Sequence, residues 1–265
     1  ALTPYNAGPA EGFTGCSRIA NELYDISGFV SVDVGGTSVD IGVGTGGKVA
    51  ADREPLVEGI KIGIPMVTLG TAGGGGGSIA RADFESKAIK VGPESAGALP
   101  GPVAYDLGGM EPTLTDADLV LGYLDPNYFL GGKKKLNKDK SVNAINNFIA
   151  GTLGISVEEA AWRIVQFSED DVSQQIRESI ESKGLKPEKL TMFAFGGGGG
   201  VVETTRPLVA GADVDVCDAV EDVLVKVSGA GDEVTVTSVK TFVVMDLTIV
   251  QAEEASEASA VPPRN

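Results

Sequence analysis

Residues 29–43, FVSVDVGGTSVDIGV, leave this chain fewer ways to fold than any other stretch of it. Two β-branched-rich runs, 29–34 and 39–43, flank Gly35-Gly36-Thr37-Ser38 and predict a strand, a glycine turn and a second strand. Paired glycines let backbone N–H groups approach a ligand with no Cβ in the way, and consecutive N–H groups in such a turn form a concave anion site. Asp33 and Asp40 bracket the turn. Carboxylates do not hold an anion, but they suit a Mg²⁺ ion or its water shell, and Thr37 and Ser38 add hydroxyls. Phosphate on backbone amides with metal on carboxylates describes a nucleotide site. The same residues also fit an ordinary hairpin with an acidic rim.

Two more glycine clusters follow. The first, 73–77, precedes Ser78-Ile79-Ala80-Arg81. Five consecutive glycines gain nothing from side-chain packing and lose much backbone entropy on ordering. A flexible linker is one reading. Strand-like sequence before the run and an apolar segment after it favour another: close backbone approach to a substrate or phosphate, making Gly75, Gly76, Gly77 and Ser78 substrate-proximal. The second, 196–200, ends a short apolar strand at 190–195.

Composition removes several function classes. The formal charge is −16, from 21 basic against 37 acidic residues, which argues against nucleic acid or an anionic membrane as partner. A bound nucleotide would depend on backbone amides, helix N-termini and metal. No run of 18 uncharged apolar residues predicts a membrane span, no secretory signal is visible, and a reducing, cytoplasmic setting is expected. Histidine is absent, so Ser-His-Asp and Cys-His triads and His-ligated metals are excluded. Any metal rests on oxygen ligands, which favours Mg²⁺ (or Mn²⁺). Cys16 and Cys217 form no metal spacing or disulfide framework.

Periodicity places the remaining elements. Pro9 suits the first turn of a helix reaching about residue 24, with Phe13, Ile19, Ala20 and Leu23 on one face. Residues 48–62 read as strand, turn and strand. The Pro- and Gly-rich segment 91–109 predicts an ordered loop over a cleft. Thr115 is the expected N-cap of the next helix, with Asp118 three positions on, and Asp116 is open to a site role. Helices are predicted over 138–153, with Val142, Ile145, Phe148 and Ile149 inward, and over 156–183, capped by Ser156. The inward stripe of the second is Ala160, Ile164, Phe167, Val172, Ile176 and Ile180. Glu169-Asp170-Asp171 reads as a solvated face and Lys133-Lys134-Lys135 as a surface loop. Alternation over 214–250 predicts two to four strands of a small β unit, followed by a mobile acidic tail. The expected domains are 1–210, 211–251 and 252–265.

DVGGTSVD at 33–40 resembles a phosphate loop of the sugar kinase, Hsp70 and actin superfamily of ATPases. NAGPAEG (6–12), AGGGGGSIARAD (72–83), VGPESAGALPGPVAYDLGG (91–109), TLTDADLVLGYLDPNYFLGG (113–132) and FAFGGGGG (193–200) resemble, in order, the hydantoinase A/5-oxoprolinase family. That family includes ATP-dependent ketone carboxylases. The resemblance implies an α/β fold, one actin-like ATPase lobe, with ATP and Mg²⁺ as cofactors. Asp33 and Asp40 would serve catalysis and hold the metal; Gly35, Gly36, Thr37 and Ser38 would hold phosphate. Gly196, Gly197, Gly198 and Gly199 would face adenosine. It implies a subunit of a heteromeric enzyme that phosphorylates a carbonyl or enol oxygen. A ketone carboxylase is preferred, with an ATP-dependent cyclic amide hydrolase as the alternative. In the family the matching segment follows a half carrying a first phosphate loop, so a partner supplying that lobe is expected. Departures exist: Val67-Thr68-Leu69 stands where relatives usually carry a histidine, and Val201-Val202-Glu203-Thr204 where they read Pro-Leu-His-Ala. Glu169-Asp170-Asp171 lies where relatives often have Asn and Met. A non-catalytic subunit that keeps the fold for assembly is the reading from another class.

Overall fold

The computed structural model describes residues 7–22, 24–45, 51–57, 59–61, 63, 66–187 and 190–198, and the strands within 212–220, 226–228, 233–235 and 242–249. Helix α1 (Ala7–Glu22) leads into the hairpin β1 (Gly28–Val34) and β2 (Val39–Thr45). Four two-residue strands follow: β3 (Ala51–Asp52), β4 (Leu56–Val57), β5 (Ile60–Lys61) and β6 (Met66–Val67). Then come β7 (Gly70–Ala72), β8 (Ser78–Ala82), β9 (Ile89–Ser95) and a 3₁₀ turn at Val103–Tyr105. The helices are α2 (Leu114–Leu121), α3 (Lys138–Ile145), a π-helical turn Asn146–Ala150, α4 (Gly151–Leu153) and α5 (Val157–Ser182). The described chain closes with β10 (Thr191–Phe195), β11 (Ala212–Val220), β12 (Lys226–Ser228), β13 (Glu233–Thr235) and β14 (Phe242–Ile249).

The main sheet runs β11-β14-β10-β1-β2-β7. Only β1 and β10 pair in parallel; the other neighbours are antiparallel. The predicted hairpin and the 190–195 strand therefore share one sheet. The stretch read as a separate small β unit contributes β11 and β14 to that same sheet, through the free edge of β10. Only β12 and β13 pair apart from it. Gly199, Gly200 and the tail from residue 250 lie outside the described residues.

Strand alternation sorts β1 between two cores. Val30, Val32 and Val34 face Val172, Ile176 and Ile180 of α5, with Val39, Ile41 and Met192 beside them. Phe29 faces the other way, onto Phe13, Cys16 and Ile19 of α1, with Phe193 edge-on to it. A third core joins β8, β9, α2 and the α3–α4 helical run to Ala160, Ala161, Ile164 and Val165 of α5. Helix α5 is thus a beam shared by two cores: its first half packs under α2, its second half on the sheet. Each fully buried Ile or Phe contributes roughly 1.5–3 kcal/mol, so the beam fixes the two cores against each other.

Several local expectations change. The segment starting at Val91 begins as strand β9, which tolerates Pro93 because its sheet has only two strands. The N-cap of α2 is Thr113, not Thr115: its hydroxyl accepts from the Asp116 amide, and the Asp116 carboxylate accepts from the Thr113 amide, a closed capping box. Ser156 caps α5 as expected, accepting from the Glu159 amide. Phe148 and Phe167 are exposed rather than inward. Glu169, expected on a solvated face, is buried, because it shares the stripe of Val165, Val172 and Ile176.

Candidate functional site

The three glycine clusters meet at the tip of the β1–β2 hairpin. Within the tip, the Gly35 amide donates to the Ser38 carbonyl at 2.9 Å. The second cluster supports it from one side: the Gly76 amide donates to the Gly35 carbonyl at 3.0 Å and the Gly77 amide to the Gly36 carbonyl at 2.6 Å. Gly75 lies so close that a Cβ there would stand 2.7 Å from the Thr37 nitrogen. The third cluster supports it from the other side, the Gly198 amide donating to the Val34 carbonyl at 2.9 Å. A Cβ on Gly196 would overlap Asp33 Oδ1 and the Val34 backbone, and its φ of +97° independently requires glycine. Close backbone approach, predicted for 73–77, is therefore to the hairpin tip itself. The amides of Gly36 and Thr37 carry no hydrogen bond among the described residues, and both residues are exposed. Two consecutive free N–H groups on a rigid tip are what an anion site requires.

Asp33 and Asp40 are register partners across the hairpin, so their side chains share one sheet face. Both are half-buried, and the Thr71 hydroxyl donates to Asp40 Oδ1 at 2.8 Å. By alternation this is the face that carries α1. No group of three or more acidic, His or Cys side chains among the described residues makes a metal cage. Two opposed carboxylates fit a Mg²⁺ that keeps most of its water and takes its other ligands from a phosphate.

On the opposite face lies a cavity of about 570 Å³. Val34, Gly35, Gly36, Gly74, Gly76, Gly197 and Gly198 line its floor, bringing all three clusters into one wall. Of the remaining predicted residues, Thr37, Ser38, Gly75, Gly77 and Ser78 are not part of the lining. Ser78 is fully buried in β8, its hydroxyl without a partner. Thr115 explains itself here: its amide and its hydroxyl both donate to the Gly76 carbonyl at 2.8 Å, tying α2 to the tip. Asp116, which the sequence left open to a site role, is completely buried and accepts from Val103 N, Ala104 N, Thr113 N, Thr113 Oγ1 and Ser141 Oγ. It organises the helix start and the loop before it.

Sequence reasoning missed the far wall. Asp118 of α2 and Glu169 of α5 are both buried and both line the cavity, beside Thr115, Ser168, Tyr105, Tyr123, Tyr128 and Phe129. Burial, then the charges of Glu169 and Asp116, push the Asp118 carboxyl up to about 8. Burial, then the charges of Glu169 and Asp118, raises Tyr123 as well. The available signal was position: Glu169 falls four residues after Val165 and three before Val172, on an apolar stripe where a carboxylate has no business with solvent.

The α/β lobe thus presents two free amides on a glycine tip, a pair of carboxylates on one face of it and a partly open cavity on the other. The Hydantoinase/oxoprolinase family model matches residues 3–214, and the chain belongs to that family. It is 41% identical over 200 residues to the acetophenone carboxylase gamma subunit of Aromatoleum aromaticum, covering 75% of this chain and 27% of that protein. It is 40% identical to the caprolactamase subunit alpha of Pseudomonas jessenii, covering 76% and 29%. Among solved structures it resembles nucleotide-free acetone carboxylase, with a TM-score of 0.70 and 34% identity over 78% of this chain and 29% of that one. The ATP-dependent caprolactamase of Pseudomonas jessenii follows at a TM-score of 0.61 and 41% identity, over 70% and 26%. The chain thus spans under a third of the length of these relatives. No helix among the described residues is long and apolar enough to cross a membrane.

Proposed function

We propose that this chain is one lobe of an actin-like ATPase unit in a heteromeric enzyme that activates a carbonyl or enol oxygen by phosphorylation. The convergence of three glycine clusters on residues 34–38, beside a nucleoside-sized cavity, carries this reading. Bound ATP would supply the phosphoryl group that makes the substrate oxygen a leaving group. The Gly36 and Thr37 amides would hold phosphate oxygens through backbone dipoles, in a chain of net charge −16 whose cavity lining has no Lys or Arg among the described residues. Asp33 and Asp40 would hold hydrated Mg²⁺, or Mn²⁺, on the α1 face of the tip. The cavity would take the nucleoside, with Gly197 and Gly198 against it. The tip is held by backbone hydrogen bonds from Gly76, Gly77 and Gly198 before any ligand arrives, the condition for electrostatic stabilisation of phosphoryl transfer.

The preferred reaction is carboxylation of a ketone of the acetone or acetophenone type. The second reading, hydrolysis of a cyclic amide, is supported by near-equal identity to the caprolactamase subunit. Either way the chain works with other polypeptide, which supplies a second phosphate-binding lobe. Equilibrium dialysis with ATP and Mg²⁺ tests the nucleotide site. ATP should bind, and inorganic tripolyphosphate should displace it. If millimolar ATP leaves the chain unoccupied, the non-catalytic, assembly-only reading replaces this one.

A further inference from the structure

One short stretch builds the end of the cavity away from the tip. Helix α2 starts at the tip, where Thr115 bonds Gly76, and its eight residues rise about 12 Å. Residues 123–130 follow it and supply six lining side chains: Tyr123, Leu124, Asp125, Tyr128, Phe129 and Leu130. The backbone of this strip is well held. Gly122 ends α2 with a left-handed φ of +86°, and the Tyr123 amide donates to the Asp118 carbonyl at 2.9 Å. The Tyr128 amide closes a turn on the Asp125 carbonyl at 3.2 Å, and the Leu136 amide donates to the Pro126 carbonyl at 2.8 Å.

The side chains of the strip divide in two. Leu124 and Phe129 are partly buried on Ala104, Leu119 and Leu136. Phe129 also meets Tyr105, with ring centroids 5.4 Å apart, and the Lys134 ammonium stands 4.0 Å from the centre of the Tyr105 ring. Those contacts account for the inner half. Tyr123, Tyr128 and Leu130 are 42%, 70% and 64% exposed, although all three line the cavity. The Tyr128 ring lies beside Gly132, where a Cβ would stand 3.7 Å from Cδ2. The core does not need these three. Apolar surface left in water on a cavity wall is surface that a ligand can cover.

The other end of the same cavity decides what the ligand is. Gly36 lines it there, with its amide free among the described residues. A nucleotide with its phosphates on the tip carries its planar base across the sugar toward the strip. We propose that residues 123–130 are a stacking platform for that base, led by Tyr128, and that the platform takes a purine in preference to a pyrimidine. This rests on the nucleotide reading above and adds base selectivity to it. Asp125, the one charged side chain of the strip, already accepts from the Asn127 amide at 2.8 Å. The strip therefore reads aromatic area more than a hydrogen-bonding edge, and two fused rings cover more of it than one.

Binding of ATP, CTP and ribose 5-triphosphate, which has no base, to the full chain tests this in wild type, Tyr128→Ala and Tyr128→Phe. The wild type should bind ATP most tightly, CTP less and ribose 5-triphosphate least. Tyr128→Ala should weaken ATP about tenfold or more, the scale of one base–aromatic stack, and leave ribose 5-triphosphate unchanged. Tyr128→Phe should keep the wild-type order. The ring is largely exposed, so the alanine variant leaves the core intact, and its unchanged binding of ribose 5-triphosphate verifies the fold. ATP bound no more tightly than CTP or ribose 5-triphosphate by the wild type overturns the inference and leaves the nucleotide site standing. Unchanged ATP affinity in Tyr128→Ala, or an equal loss for ATP and ribose 5-triphosphate, does the same. Absence of ATP binding to the wild type overturns both readings.

Discussion

Asp116 and Asp118 lie two positions apart on one helix and do opposite things. Asp116 is enclosed by five donors, so replacing it strands buried N–H and O–H groups from three segments. Asp116→Ala should cost about 3–5 kcal/mol of stability, read as a lowered urea midpoint at unchanged slope. Asp118 has no such duty. Asp118→Asn should be neutral or stabilising at pH 8, because it removes a buried charge rather than a partner. Gly196 is a third kind of residue, tolerated only as glycine. Gly196→Ala should lower the melting temperature and displace Asp33, since both the positive φ and the overlap with Oδ1 oppose a methyl group. A Gly196→Ala protein with unchanged melting and metal affinity would contradict the packing described at the tip. None of these three roles was visible in residue type alone: Asp, Asp and Gly are common, and their neighbours in space come from residues far off in sequence.

At the scale of elements, what periodicity can encode was legible. The hairpin, α1, the α3–α4 run and α5 stand close to where alternation and the 3.6-residue period place them, because those patterns record which face is buried. Partnership was less so. Thr113 and Thr115 are both sensible caps by sequence, and the choice fell to Thr113 because Asp116 closes the box with it while Gly76 occupies Thr115. Strands β11 and β14 read as an independent unit since nothing in their alternation names β10 as the neighbour. Glu169 was assigned to solvent by its charge, although its spacing places it on the stripe. Its burial against Asp118 has a measurable sign. The folded-state pKa of Asp118 stands above its unfolded value, so the folded chain holds more protons between about pH 4 and 8. Stability from this group is complete below that window and is lost as the pH rises through it. Chemical unfolding across pH 5–9 should show a decline that Asp118→Asn flattens; a wild-type profile that rises across the window would contradict the buried pair.

For the molecule as a whole, the described residues contain one Asp-Val-Gly-Gly-Thr turn, at 33–37, and two glycine clusters that support it. On the proposed reading, one lobe holds the nucleotide but leaves its phosphates open to water, which screens the charges that act on them. The isolated chain should therefore show only background ATP turnover, with activity appearing when the complementing lobe is supplied. Asp33→Asn should lower the restored activity by about a hundredfold or more. Full turnover by the chain alone would show that no second lobe is required. The central claim is narrower: three glycine clusters, distant in sequence, form one phosphate-binding tip. Amide hydrogen exchange with and without ATP and Mg²⁺ reads that claim directly. Protection should appear together in residues 34–38, 73–77 and 196–198 and be reproduced in part by tripolyphosphate. Protection confined to other segments, or none at saturating ATP, would contradict it.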